Sequence, residues 1–181
     1  MVEYLTRDRI RLAGGTLNEQ ASVLRKAEQR SPSGSTFLSH SSKDSDLLPG
    51  VIRILEDHGA VVYVDKKDES LPPYTSPETA DLLRSRIRSC HRFIMLTTPN
   101  SKDSRWVPWE LGLSDGFKNA AHTVILPGPD KATETKWAEQ EYLGVYDRIV
   151  YGPLQGHSSS VYMVWNRKSN TATELSLWLK T

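Results

Sequence analysis

Apolar residues along this chain alternate between short continuous runs and longer amphipathic stretches. TFLSH, AVVYVD, RFIMLTT and HTVILPG predict four strands, and AVVYVD is as uniformly apolar as a strand covered on both faces. Three helices are predicted where apolar residues recur at helical spacing, in LLPGVIRILEDHG, SPETADLLRSRIRSC and SRWVPWELGLSDGFKNA. The resulting order, strand and helix in turn, predicts an α/β fold with a parallel sheet and right-handed crossovers.

Capping and stop residues mark the predicted helix boundaries. Asp44 or Ser45 can cap the first of these helices, and Gly59 is a suitable stop signal. Ser76 followed by Pro77 predicts the start of the second helix. The third helix is expected to begin near Val107, because Pro108 is best tolerated in a first turn.

The two ends of the chain are less regular. Residues 1–30 form a polar, mostly helical lead in which Leu17, Ala21 and Leu24 recur at helical spacing, and SPSGS follows as a linker. We therefore divide the chain into a helical extension with linker, 1–34, and a domain with a C-terminal extension, 35–181. The tail is expected to hold a fifth strand near 147–151, the apolar patch VYMVW and a final helix.

Composition narrows the functional classes. The chain has 181 residues, 38% of them hydrophobic and 25% charged, with a net charge of +1, which favours a globular domain over a nucleic-acid or anionic-membrane binder. A single cysteine, Cys90, excludes a disulfide framework and a cysteine-rich metal site. The charged N-terminus is unlike a signal peptide, and no apolar run reaches the length of a membrane span. We expect a cytoplasmic protein with no metal.

In an open parallel sheet, ligands bind beyond the carboxyl ends of the strands. The loop SHSSKDSD lacks glycine, so it is not a phosphate-binding loop; its hydroxyls, with His40 and Lys43, could contact a polar ligand or only cap the next helix. Asp65 could contact a ribose or cap a turn. The charged, proline-containing segment after it, which includes Pro72, Pro73 and Tyr74, suits a lid or a protein contact.

Glu110 is unusual because it lies among Trp106, Trp109 and Leu111 in a segment otherwise suited to packing. With a helix start near Val107 it takes the third helical position, where the helix dipole favours its ionised form and burial opposes it. It can be a capping-box residue or a functional carboxylate, and the spacing leaves both open. Cys90 and the histidines outside this region are interpreted as packed or solvated residues.

Together these motifs resemble the TIR (Toll/interleukin-1 receptor) domain over roughly residues 35–151, particularly its bacterial stand-alone enzymes. FLSHSSKD is similar to the motif of the family's first strand, VVYVD to the second strand, and SKDSRWVPWELG to the third motif, serine-x-tryptophan-(x)3-glutamate. The resemblance implies a flavodoxin-like parallel sheet of about five strands flanked by helices. A cysteine often found before the tryptophan is replaced here by Ser104, and Pro72-Pro73 replaces a glycine-rich turn.

The resemblance also implies an activity. Catalytic members cleave NAD⁺ between nicotinamide and ribose, so NAD⁺ would be the substrate and no cofactor is expected. Glu110 matches the essential glutamate, which favours its functional interpretation, and a carboxylate there would stabilise an oxocarbenium-like centre. Pocket candidates by the same resemblance are Ser39, His40, Asp65, Ser104 and Trp106.

The product would be ADP-ribose or a cyclic ADP-ribose signal, and the short chain suggests a signal generator in bacterial antiphage defence of the Thoeris type. Expected partners are further copies of the chain through TIR–TIR contacts and a separate effector that responds to the product. Two alternatives remain: a non-catalytic TIR adaptor that acts by homotypic assembly, and an enzyme like the nucleoside deoxyribosyltransferases.

Overall fold

The structure is a computed structural model that describes residues 2–65, 76–104, 106–132, 134 and 141–181. Seven strands within these residues form one sheet in the order β2-β1-β3-β4-β5-β6-β7. They are β1 Thr36–Ser39, β2 Val62–Tyr63, β3 Arg92–Thr97, β4 Thr123–Pro127, β5 Asp147–Gly152, β6 Val161–Asn166 and β7 Thr171–Glu174. Pairing is parallel from β2 through β5, and β6 and β7 add an antiparallel hairpin.

The helices that surround the sheet are α1 Arg7–Ala13, α2 Leu17–Gln29, α3 Leu48–Asp57, α4 Pro77–Ser89, α5 Trp106–Lys118 and α6 Leu175–Lys180. Short 3-10 turns cover Ser42–Leu47, Pro99–Asp103, Ala120–His122 and Glu141–Val145. Ser76 caps α4 and Pro77 begins it, as predicted. None of the described helices is both long and apolar enough to span a membrane.

The predicted α/β fold is confirmed, and the five parallel strands have the order expected of a flavodoxin-like sheet. The parallel part has the predicted five strands, and the tail extends the sheet with β6 and β7 in antiparallel pairing. VYMVW lies in β6, which pairs with β5 from Arg148 opposite Trp165 to Gly152 opposite Val161.

Two apolar layers cover the sheet because neighbouring residues of a strand point to opposite faces. Leu38 and Ile94 belong to the core cluster that includes residues of α1, α2, α3 and α6. Phe37 and Phe93 belong to the other cluster, which contains residues of α4 and α5. All four side chains are at most 1% exposed. The alternation assigns Ser39, two residues after Phe37, to the α4 and α5 face.

The N-terminal helices pack directly on the domain. α1 and α2 both contact α3, and Leu5, Ile10 and Ala27 are completely buried within the same core cluster as α3. Leu17, at the start of α2, is 82% exposed, whereas Leu24 is partly buried against that cluster, so only part of the apolar stripe seen in the sequence faces the core. The division of the chain at residues 34 and 35 stays a prediction.

A histidine pair lies at the amino ends of β3 and β4, away from the strand ends where a ligand site is expected. The rings of His91 and His122 meet edge to face, 5.5 Å between centroids. Burial is the main cause that lowers the pKa of each histidine, and the cations Arg92 and Lys118 lower both further. Both histidines are therefore expected to be neutral in the folded protein at neutral pH.

This pair predicts a loss of stability in mild acid. Below the unfolded histidine pKa of about 6.5, the unfolded chain binds protons that the folded pair resists, so the free energy of unfolding should fall as pH falls. Urea unfolding at several pH values between about 7.5 and 5.5 measures this dependence. The double variant His91→Gln/His122→Gln should flatten the curve in that window, and an unchanged slope would contradict the assignment.

Candidate functional site

A buried carboxylate and a buried hydroxyl meet where β1 ends. Ser39 is the last residue of β1, and Glu110 lies in α5. The Ser39 hydroxyl Oγ donates a hydrogen bond to Glu110 Oε2. Each residue is only 1% exposed. The contact crosses from the central part of the sheet to a covering helix, at the carboxyl edge where ligands bind in such sheets.

The start of α5 decides how Glu110 is interpreted. The helix begins at Trp106, one residue before the predicted start, and the Ser104 hydroxyl accepts a hydrogen bond from the Val107 amide at 3.3 Å. Glu110 is therefore the fifth residue of α5 rather than the third. The capping-box interpretation is wrong, because Ser104 satisfies the helix end and the Glu110 carboxylate turns instead to Ser39.

In the loop after β1 the structure shows a capping hydrogen bond, and the ligand contact considered for the same loop stays a prediction. His40 is 7% exposed and directly follows Ser39, which places an imidazole next to the buried pair along the chain. The Ser41 hydroxyl accepts from the Lys43 amide and caps the 3-10 turn. Lys43 reaches the neighbouring loop, where its Nζ lies 3.0 Å from an Asp103 carboxylate oxygen. This ion pair is exposed, so it contributes little stability.

Asp44 has a different role from the one predicted. It is completely buried and accepts hydrogen bonds from the Thr98 hydroxyl at 2.6 Å and from the Asn100 amide at 2.7 Å. It does not cap α3, because the 3-10 turn intervenes and α3 starts after Leu47 without a side-chain cap. Asp44 instead joins the loop after β1 to the loop after β3, which leads to α5.

Asp65 lies just beyond β2 in a separate set of contacts. It accepts a hydrogen bond from the Tyr63 hydroxyl at 3.0 Å and forms an ion pair with Arg86 of α4. Burial, with a smaller effect of the Asp65 carboxylate, raises the pKa of Tyr63. These contacts attach α4 to β2 and do not involve the Ser39–Glu110 pair. The segment predicted to form a lid or protein contact, with Pro72, Pro73 and Tyr74, lies outside the described residues.

Two tryptophans border the carboxylate along α5. Trp106 and Trp109 meet edge to face, with 5.4 Å between ring centroids, and both are partly buried against the core cluster of α4 and α5. The guanidinium of Arg84 lies 5.3 Å from the Trp109 ring centroid. Trp106, one turn before Glu110, thus offers a partly exposed aromatic surface beside the site.

Cys90 has the properties of a packed residue. It is 3% exposed, its Sγ lies 3.3 Å from the Ser35 hydroxyl, and burial raises its pKa to about 11. A thiol with so high a pKa is almost entirely protonated at neutral pH and is a poor nucleophile. In the part of the chain that the structure describes, no group of three or more His, Cys, Asp or Glu residues could hold a metal ion.

The six residues selected from the sequence therefore divide into groups. Ser39 and Glu110 are brought together, His40 and Trp106 adjoin them along their own elements, Ser104 fixes the start of α5, and Asp65 belongs to the ion pair with Arg86. Sequence reasoning missed the bonds from Thr98 and Asn100 to Asp44, since no local pattern relates residues 54 and 56 positions apart.

Comparison with known proteins identifies the family of this fold. The profile of the TIR domain family matches residues 36–128, the part of the chain that runs from β1 through β4 and contains both Ser39 and Glu110. A curated relative from Bacillus cereus (strain MSX-D12), the probable 3′ cyclic ADP-D-ribose synthase ThsB′, is 38% identical over 120 residues. That alignment covers 65% of this chain and 61% of the relative, so it leaves more than a third of the relative unmatched.

Proposed function

This chain belongs to the TIR domain family, and on that premise we propose that it cleaves NAD⁺ at the bond between nicotinamide and ribose. One observation carries the proposal: a glutamate at the family's motif position, Glu110, is buried at the carboxyl edge of the sheet and held by Ser39. An adaptor that only assembles with other copies has no use for such a carboxylate, because desolvating it is costly.

The chemistry needs a negative charge near the sugar. When the glycosidic bond breaks, nicotinamide leaves with the bonding electron pair and becomes neutral, and positive charge develops on the ribose as an oxocarbenium-like centre. A preorganised carboxylate stabilises that charge most effectively where water is scarce. Trp106 would pack against the nicotinamide or the ribose, and His40 would lie near the same end of the substrate.

We further propose that the second step closes a ring. An oxygen or nitrogen nucleophile within the same ADP-ribose attacks the ribose centre, and its proton passes to solvent when the nucleophile is a hydroxyl. The name of the Bacillus cereus relative, a probable cyclic ADP-D-ribose synthase, favours this outcome over hydrolysis.

The biological setting follows as part of the same proposal. A cyclic nucleotide product would act as a signal, received by a separate effector protein during antiphage defence. Assembly through TIR–TIR contacts would accompany activity, and NAD⁺ would be consumed as a substrate rather than retained as a cofactor.

The test is NAD⁺ turnover by the purified chain at high concentration with a crowding agent and infected-cell extract, with products resolved by mass spectrometry. We expect release of nicotinamide together with a product one water lighter than ADP-ribose. A product with the mass of ADP-ribose would show that the second step is hydrolysis rather than cyclisation. Turnover of free nucleosides but not NAD⁺ would favour the deoxyribosyltransferase-like alternative, and a folded, assembled, inactive protein would favour the adaptor.

A further inference from the structure

We propose that Ser39 is a positioning residue that orients the Glu110 carboxylate for reaction and is not itself a contact for the substrate. This inference rests on the proposed function, since it concerns the same site. It changes the role that the family resemblance suggested for Ser39, which was a place in the substrate pocket. The geometry of the two side chains gives the reason.

Ser39 is fixed by the sheet. β1 lies between β2 and β3, and Ser39 is paired in register with Met95 of β3. All four residues of β1 are buried. A serine side chain has one rotatable bond to its hydroxyl, so the Ser39 Oγ has very few positions available once this backbone is set.

Glu110 is the flexible partner. A glutamate side chain has three rotatable bonds, and holding it in one conformation costs conformational entropy. A hydrogen bond from a rigid donor to an ionised acceptor is among the stronger ones in proteins and selects a single carboxylate orientation. The bond from Ser39 Oγ to Glu110 Oε2 therefore ties a helix side chain to the most constrained layer of the fold.

Hydrogen-bonding capacity separates the two roles. A serine hydroxyl has one proton to donate, and Ser39 donates it to Glu110. While that bond exists, Ser39 has no proton left to donate to a substrate and could only accept a hydrogen bond from it. A carboxylate has acceptor positions on two oxygens, so Glu110 can interact with a substrate and keep its bond with Ser39.

The experiment compares steady-state kinetics of Ser39→Ala and Ser39→Thr with wild type. Loss of the hydroxyl should lower kcat about 10- to 100-fold, by analogy with residues that orient the ligands of a catalytic metal, with little change in KM. Threonine keeps the hydroxyl and should recover most of the kcat. Ser114→Ala is the matched control, because Ser114 is equally buried but its hydroxyl pairs with the Thr123 hydroxyl at the amino end of β4, and its kinetics should stay near wild type.

Every outcome decides the question when thermal unfolding shows that the variants are folded. An unchanged kcat in Ser39→Ala would overturn the proposal, as would a raised KM with unchanged kcat, which marks a substrate contact. Faster turnover would also overturn the proposal, because it would mean that the bond from Ser39 holds Glu110 in an inactive orientation. If the Ser39→Thr variant does not fold, Ser39→Cys replaces it. Cysteine is similar in size to serine but is a weak donor, so its kcat must resemble that of Ser39→Ala. A wild type without NAD⁺ turnover would instead contradict the proposed function itself.

Discussion

Glu110→Gln is expected to lower NAD⁺ turnover about 100- to 1,000-fold while the protein stays folded. Glutamine has nearly the same shape and keeps an amide oxygen that can accept the hydrogen bond from Ser39. What it loses is the negative charge, and that charge is what stabilises positive charge on the ribose in the transition state. The substitution therefore isolates electrostatics from packing.

Initial rates of nicotinamide release, measured at matched protein concentration, give this result. The effect should fall on kcat, because the charge is needed only when the bond breaks. Glu78→Gln is a suitable control, since Glu78 is an exposed carboxylate in the first turn of α4 and should leave the rate near wild type. A Glu110→Gln enzyme within a few-fold of wild type would remove Glu110 from the chemistry.

The sequence predicted secondary structure best for the strands that are buried on both faces. Strands of a parallel sheet are covered on both faces, so β3 and β4 read as apolar runs, and the helices between them show their apolar stripes clearly. Glu110 was recognisable because a carboxylate among tryptophans is unusual. Its contact with Ser39 was not predictable, since the two residues are 71 positions apart and meet only when α5 crosses the face of the sheet next to β1.

The C-terminal strands were harder to predict because most of their residues are partly buried or exposed. Along β7 the residues alternate between exposed and partly buried, and TATE carries no bulky apolar side chain that would mark a strand. Asp44 was misassigned because acidic residues before helices usually cap them, whereas here a 3-10 turn displaces it toward Thr98 and Asn100. Local patterns thus fail where a polar residue finds its partner on another element.

Gly50 is another residue whose local sequence pattern is misleading, because its partner lies on a different helix. Its substitution is expected to have a large effect on stability. In the sequence it resembles a weak point of α3, because glycine destabilises a helix interior. In the structure a Cβ at Gly50 would lie 1.8 Å from the backbone oxygen of Ile10 and 2.7 Å from its carbonyl carbon. The absence of a side chain is therefore what lets α1 lie against α3.

Gly50→Ala is expected to reduce the free energy of unfolding by about 3 kcal/mol, the upper end of the usual cost of overpacking. The atom in the way belongs to the backbone, so no rotamer change relieves it and α1 has to shift. Urea unfolding gives the free energy, and hydrogen exchange of the Ile10 amide, which is bonded to the Thr6 carbonyl, reports whether α1 detaches.

Gly112→Ala separates crowding from helix propensity. Gly112 lies within α5, and a Cβ there would meet no heavy atom within 4 Å. The same substitution should consequently stabilise the protein by about 0.5–1 kcal/mol, because alanine favours the helix. A lower free energy of unfolding in Gly50→Ala and a higher one in Gly112→Ala would establish that α1 packs closely on α3. Residues before the TIR domain match would then be part of its packed structure. Equal effects would contradict that close approach.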